Sequence, residues 1–438
     1  MNQSMWNAEV ETISEAEQGA MERDKLVRQI EYVYSESPFY RSKLDEAGLA
    51  PRDVRGPQDL SGLPFTTKAE LRESQEREPP FGDYLASSRE LVTTVHRSSG
   101  STGKFIYTVL TDKDMEQTNE CGARAFWAAG LRPRHTAVHC LNYSLWMGGF
   151  TDHRNLATTG ASVVPFGVGD SRRLVRTIGE LGVDAISCTP SYPSRLAGVV
   201  RDELGIEPSE LGLELGLFGG EPGIEDAGFK ARMEETWGFK AKNANYGMAE
   251  VLCNFASVCD EADELHFLGQ GAVLAELIDP SSMEVLPMEA GTSGEIVLTN
   301  LDRKAQPLVR YRTRDLIGVL GTGPCTCGRT GFRFRVAGRS DDMLHVGGIN
   351  VFPSGIAEVL NTLAPDVNGE FQVVVSGPGP YDSLDILVES DHGADSLRVL
   401  IEDEIRHALS CRANVRLVSP GTVPQSAVGK AVRVVRNF

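Results

Sequence analysis

The stretch HRSSGSTGKFIY, from His96 to Tyr107, crowds glycines, hydroxyls and a lysine into a run fit to hold an anion. Glycines let backbone N–H groups approach an anion closely, while the hydroxyls and Lys104 add donors. The spacing is not that of the common nucleotide loop, which needs four residues between its glycines and then Lys-Ser or Lys-Thr. Here only Ser101 and Thr102 separate Gly100 from Gly103, and Phe105 follows Lys104. A Gly/Ser run by itself is more often a plain turn, so its meaning depends on what else the chain supplies.

Further segments supply it. YGMAEV (246–251) places an aromatic near a carboxylate, Glu250, able to hold Mg²⁺. VRYRTRDL (309–316) ends a β-prone run with arginines and Asp315, suited to ribose hydroxyls. GRSDDMLHVGGINVF carries Arg339, Asp341 and a glycine turn at Gly347 and Gly348, and PQSAVGKAVRVV delivers Lys430 behind a glycine. Singly, each has a bland alternative: an Asp capping a turn, a surface Glu, a solvated tail Lys. A separate set, Cys259 and His266 with the Cys325-x-Cys327 pair, fits a closed tetrahedral zinc site, with Cys253 a competitor for Cys259. The other cysteines sit in apolar surroundings and read as core.

In this order the segments resemble the phenylacetate-CoA ligase branch of the acyl-adenylate-forming superfamily, from SPFYRSKL (37–44) to Lys430. The resemblance implies an aryl-CoA ligase. ATP activates an aromatic or arylacetic carboxylic acid to an acyl-adenylate, and coenzyme A then takes the acyl group. It also implies roles. Ser98, Ser99, Gly100, Ser101, Thr102, Gly103 and Lys104 would cradle the β- and γ-phosphates, and Thr102 and Glu250 would bind Mg²⁺. Tyr246, followed by Gly247, would stack on adenine, with Gly219, Gly220, Glu221 and Pro222 along its edge. Asp315 would take the ribose hydroxyls, supported by Arg339. Lys430 would reach between carboxylate and α-phosphate, as a mobile point charge can. Asp341 would be the hinge of a C-terminal domain that swings between half-reactions, bringing Gly347 and Gly348 to the pantetheine arm. HCLNYSLWMGGF (139–150) matches the segment lining the acyl site in relatives and supplies His139, Asn142, Tyr143 and Met147 as pocket candidates. His139, Asn142 or Tyr143 could read a ring amino or hydroxyl group. Many members of the group carry a similar Cys/His set, which favours structural Zn²⁺. Phe105 departs from the family, where proline is common.

These residues need elements to hold them. Residues 15–49 have helical spacing, with Leu26, Ile30 and Val33 on one face, and a helix capped at Thr66 or Thr67 follows. From about 90 to 300, β-prone runs such as ASVVPFG, VDAISCTP, LELGLFGG and GEIVLTN alternate with helical stretches. That pattern predicts an α/β fold of layered sheets and helices with a sizeable parallel sheet. After residue 340 the texture changes to a smaller α+β unit, giving an adenylation domain at 1–340 and a mobile C-terminal domain at 341–438.

The whole-chain totals agree. At 438 residues the chain is long enough for several cores, and a net charge of −18 excludes a general nucleic-acid binder. No apolar run approaches the ~20 residues of a membrane span, and the N-terminus lacks the pattern of a secretory signal. Eight cysteines in such a chain predict a reducing, cytoplasmic setting. The expected partners are small molecules: the acid, ATP and CoA. A homodimer and a separate acyl carrier protein as acceptor stay open, as does a lapsed nucleotide-binding scaffold.

Overall fold

The computed structural model describes residues 4–98, 105–347, 349–391, 393–423 and 433–437. The chain separates into two compact units: Met1–Gly220, Glu234–Thr313 and Ile317–Arg335 form one, and Glu221–Met233, Arg314–Leu316 and Val336–Phe438 the other. The second unit thus takes two short mid-chain stretches in addition to the C-terminal run set apart by texture.

In the first unit, helix Glu15–Glu36 starts at a Ser14/Glu17 capping box and buries Leu26, Ile30 and Val33. Ser37 ends it and caps a second helix, Pro38–Glu46, whose first residue is proline. One helical pattern in sequence is therefore two helices, because proline fits the first turn but cannot continue the preceding one. Thr67 caps helix Lys68–Arg77 through a capping box with Glu70. Thr66 instead donates to the Val309 carbonyl at 2.7 Å.

Twelve strands form one sheet among the described residues. In its first half Ser162–Pro165, Thr136–His139, Ala185–Cys188, Leu215–Gly219 and Lys240–Met248 lie side by side and parallel. Helices Met147–Thr158, Ser171–Leu181 and Tyr192–Leu204 make the crossovers that parallel strands require. Helix Asp112–Ala128, capped by a Thr111/Asp114 box, packs against Met147–Thr158. Ala185–Cys188 is buried at every position, as a strand covered on both faces must be. Beyond Met248 the parallel order stops. Leu252–Ser257 runs antiparallel to Lys240–Met248, Leu265–Phe267 antiparallel to Leu252–Ser257, and Arg333–Arg339 antiparallel to Leu265–Phe267. From Lys240–Met248 through Leu252–Ser257 to Leu265–Phe267 short connections replace helices, so each chain reversal gives an antiparallel neighbour, whereas Arg333–Arg339 returns to the sheet after four intervening strands. The expected parallel sheet is only half of what forms.

The second unit has its own four-stranded sheet, ordered Ala413–Val418, Leu384–Glu389, Phe371–Val375, Val434–Arg436. Ile356 and Leu360 of helix Pro353–Thr362, and Ile401 and Ile405 of helix Asp395–Leu409, pack with Phe371, Val373 and Ile386 as its core. Each such side chain contributes roughly 2 kcal/mol when fully buried. Among the described residues no helix is long and apolar enough to cross a membrane.

Candidate active site

Strands Thr94–Arg97 and Tyr107–Leu110 form an antiparallel ribbon, and the anion-loop residues lie between them in sequence. Ser98 ties the ribbon: its N–H donates to the Ile106 carbonyl (2.9 Å) and its Oγ accepts from the Ile106 N–H (3.1 Å). Ser99, Gly100, Ser101, Thr102, Gly103 and Lys104 lie outside the described residues, as do Gly348 and Lys430. Phe105 receives the Arg97 guanidinium over its ring, 4.5 Å from the centroid. Burial lowers the pKa of His96, which sits inside the ribbon, to about 4.

Where the sheet changes from parallel to antiparallel, backbones come very close. A β-carbon on Gly219 would lie 2.5 Å from the Asn245 carbonyl oxygen, and one on Gly247 would lie 2.0 Å from that of Cys253. Only glycine allows these approaches. Tyr246 sits between them, with its ring edge-on to Phe255 and Phe334 at centroid distances of 5.3 and 5.4 Å. In the following turn the buried Glu250 carboxylate lies 2.7 Å from Lys68 Nζ. Sequence reasoning passed over Lys68, although a signal existed. It is the first residue of helix Lys68–Arg77, where the helix dipole disfavours a cation, so its charge calls for a carboxylate partner.

In the second unit Arg339 is the centre of an acidic group. Its guanidinium grips Asp341 with two hydrogen bonds (2.9 and 2.8 Å) and reaches Asp315 at 3.0 Å. Ser340 N–H donates to the Arg314 carbonyl, and Arg436 donates to the Asp341 carbonyl, both at 2.7 Å. Asp315, Arg339 and Asp341, far apart or merely adjacent in sequence, thus share one network. Glu221 and Pro222 also belong to this unit, whereas Gly219 and Gly220 belong to the first. Gly347, at φ +57°, donates its N–H to the Tyr381 carbonyl at 2.8 Å.

The pocket candidates surround the start of helix Met147–Thr158. His139 is fully buried, with Nδ1 3.1 Å from Ser187 Oγ and Nε2 3.0 and 3.1 Å from the Gly148 and Gly149 carbonyls. Carbonyls only accept, so Nε2 carries the proton, and burial lowers the pKa to about 4. Both ring nitrogens are engaged in fastening the helix to the sheet. Tyr143 presents its ring edge-on to His139 and its hydroxyl to His153 Nδ1 at 3.0 Å. Asn142 Oδ1 accepts from the Ser144 N–H at 2.8 Å. Met147 packs with Leu110, Met115 and Cys253. A residue absent from the sequence reading, Asp152, lies one turn deeper and fully enclosed. It accepts from Asn155 (3.1 Å), Cys253 (3.3 Å) and Asn245 (2.5 Å), and burial raises its pKa to about 7.

The ligating atoms of Cys259, His266, Cys325 and Cys327 all lie within 4.8 Å of one another. Cys327 Sγ is 3.6 Å from His266 Nε2, while Nδ1 faces the Glu264 carbonyl at 3.1 Å, which fixes the ring. The turn carrying Cys325 and Cys327 closes through Gly328, at φ +92°. Beyond it, Arg329 forms a buried ion pair with Glu11 at 2.7 Å. Cys253, the competitor for Cys259, points its thiol at Asp152 instead.

In an alignment of 453 positions the chain is 36% identical to the phenylacetate-coenzyme A ligase of Thermus thermophilus, covering 98% of this chain and 99% of that one. The chain belongs to the phenylacetate-CoA ligase family. Such enzymes are AMP-forming acid–thiol ligases. Another family member, the phenylacetate-coenzyme A ligase of Escherichia coli, is 32% identical, with 98% of this chain and 97% of that one covered. Residues 348–437 match the AMP-binding enzyme C-terminal domain family. Among solved structures, a 2-hydroxyisobutyryl-CoA ligase in its postadenylation state with 2-HIB-AMP aligns with TM-score 0.90 and 30% identity, covering 99% of this chain and 93% of that one. The ligase family and this neighbour agree on the fold, an α/β adenylate-forming body with the C-terminal domain of AMP-binding enzymes.

Proposed function

We propose that this ligase activates an aromatic or arylacetic carboxylic acid for transfer to coenzyme A. The acid's carboxylate oxygen attacks the α-phosphorus of ATP and pyrophosphate departs. The CoA sulfur then attacks the acyl carbon, and AMP leaves with the bonding electron pair. The first step brings two anions together, so donors and cations must meet the developing charge. Ser98 to Lys104 would hold the β- and γ-phosphates, and Lys430 would bridge the carboxylate and α-phosphate. Tyr246 would stack on adenine beside Gly219, Gly220, Glu221 and Pro222, with Asp315 and Arg339 on the ribose. Glu250, steadied by Lys68, and Thr102 would hold Mg²⁺, which when bound would supply positive charge to offset that of the phosphates.

Asp341 is proposed as the hinge at the head of a C-terminal domain, 341–438, whose Gly347 and Gly348 would let the pantetheine arm pass. The Cys259, His266, Cys325 and Cys327 quartet has the donor set of a zinc site. Zinc there would be structural, because four protein ligands leave no position for a reacting water.

The observation that carries the reading is the end-to-end match to phenylacetate-coenzyme A ligases in a chain that gathers Tyr246 and Glu250 where its sheet changes direction. The test is pyrophosphate release across a panel of aromatic acids, followed by thioester formation with CoA or with a purified acyl carrier protein. Acid-dependent release with CoA-thioester formation supports the proposal. Thioester on the carrier alone would replace CoA as acceptor, and silence with every acid would overturn it.

A further inference from the structure

The turn that carries Cys325 and Cys327 lies in a connection, 322–332, that contains neither helix nor strand. Two backbone bonds close it, from Gly328 N–H to the Cys325 carbonyl (2.8 Å) and from Cys325 N–H to the Arg329 carbonyl (2.9 Å). A metal shared with Cys259 and His266 would pin this turn to the sheet, since ligands of one ion cannot drift apart. The residues just beyond the turn reach a distant part of the chain. Arg329 Nε donates to Glu11 Oε2 at 2.7 Å, both side chains being buried, and a second guanidinium nitrogen donates to the Ser4 carbonyl at 3.4 Å. Thr330 donates its N–H to the Glu11 carbonyl (3.0 Å) and its hydroxyl to the Ile13 carbonyl (2.8 Å). Met5 covers Gly328, where a β-carbon would stand 2.9 Å from Met5 Cε. Segment 4–13 thus rests on the metal turn at Ser4, Met5, Glu11 and Ile13.

Its other side is held by helix Asp112–Ala128. Trp6 Nε1 and Asn7 Nδ2 donate to the Glu120 carboxylate at 2.8 and 2.7 Å, and the Trp6 ring lies 5.4 Å from that of Trp127. The segment's own regular structure is a helix of 4 residues, Ala8–Glu11. So short a helix does not hold itself together in water, and its order comes from the two surfaces it touches. The buried Glu11 couples it most tightly to the metal turn. Parted from Arg329, its carboxylate would stay desolvated without a counter-charge, so a turn that moves takes the segment with it.

We infer that the Cys259, His266, Cys325 and Cys327 site is a metal-dependent clasp for segment 4–13, with Arg329 as the link between the metal turn and Glu11. This rests on the zinc reading of the quartet above and says what zinc there holds in place. Metal binding and docking of the segment are then two coupled equilibria, and linkage requires each to strengthen the other by the same factor. Loosening the segment from the side of helix Asp112–Ala128 must therefore weaken zinc binding, although no ligand to the metal is touched.

The test compares zinc-loaded protein with protein stripped by a chelator, following backbone amide exchange peptide by peptide with mass spectrometry. Peptides covering 4–13 should exchange about 10-fold faster or more without zinc, while the buried strand Ala185–Cys188 keeps its protection. Zinc affinity, measured by competition with a chromogenic chelator, supplies the reciprocal arm. Glu11→Gln, which breaks the ion pair, and Trp6→Ala, which frees the segment from helix Asp112–Ala128, should each weaken it by about 5-fold or more. Protection of Ala185–Cys188 in each variant shows that the body is folded. Unchanged exchange at 4–13 on zinc removal would overturn the inference, as would faster exchange spread evenly over the first unit. So would wild-type zinc affinity in both variants, which is what a site with a purely local role gives. If the protein binds no zinc at all, the zinc reading falls and this inference with it, while the ligase reading stands.

Discussion

Replacing Asp152 by asparagine should change how stability depends on pH, in a direction opposite to that of most aspartates. Its carboxyl is held at about 7 in the folded protein by burial, against an ordinary 3.8. The folded state therefore keeps a proton that the unfolded chain gives up between pH 4 and pH 7, so stability falls as pH rises through that window and levels off above it. With these two values the ionisation costs about 2 kcal/mol at pH 5 and about 4 kcal/mol at pH 8. Wild type should thus lose about 2–3 kcal/mol relative to Asp152→Asn between pH 5 and pH 8. The other titratable groups facing Asp152 are the Cys253 thiol, which donates to it, and Tyr143, whose own pKa it helps to raise. Every tryptophan (Trp6, Trp127, Trp146 and Trp237) belongs to the first unit, so urea unfolding followed by tryptophan fluorescence reports on the body that contains Asp152. The difference between the two proteins, taken at pH 5, 6.5 and 8, removes every other titrating group. Parallel pH curves for the two proteins would refute the reasoning.

Other outcomes follow from the same geometry. Protein purified without added metal should carry about one zinc per chain by elemental analysis, and the Cys325→Ser/Cys327→Ser variant should lose both the metal and thermal stability; an equally stable metal-free variant would contradict the site. Glu250→Gln should slow pyrophosphate release by about 100-fold and raise the Mg²⁺ concentration needed for half-maximal rate, both measured by coupled assay. Gly149→Ala places a β-carbon 2.0 Å from the Asn142 carbonyl oxygen, so backbone must move; a loss of about 1–3 kcal/mol in urea unfolding is expected. Asp341→Pro should retain acid-dependent pyrophosphate exchange while losing thioester formation, and loss of both together would count against the hinge.

The residues that name the chemistry were legible because each depends on local order. SSGSTGK, YGMAEV, YRTRDL and the terminal Gly-Lys follow one another in a fixed succession, and the Cys/His set is a matter of residue type. The helix with Leu26, Ile30 and Val33, and a cap at Thr66 or Thr67, also follow from spacing and side-chain chemistry, and the structure puts the cap at Thr67. Strand direction did not, because a β-prone run looks the same whether its neighbour is parallel or antiparallel. Only the length and content of the connection decide that. The pairing of Lys68 with Glu250 and the network around Arg339 likewise join residues distant in the chain.

Asp152 is the sharpest case. In sequence it is a polar residue in MGGFTDHRNLA, and a helix carries many such residues on its solvent face. Whether a carboxyl meets water or the Asn245 and Cys253 side chains depends on which face the helix turns to the sheet, and that is set by packing. The sequence by itself determined the class of reaction, because catalytic residue types recur in order along the chain. The tertiary structure decided what surrounds Asp152, because burial and hydrogen-bond partners exist only once distant segments meet.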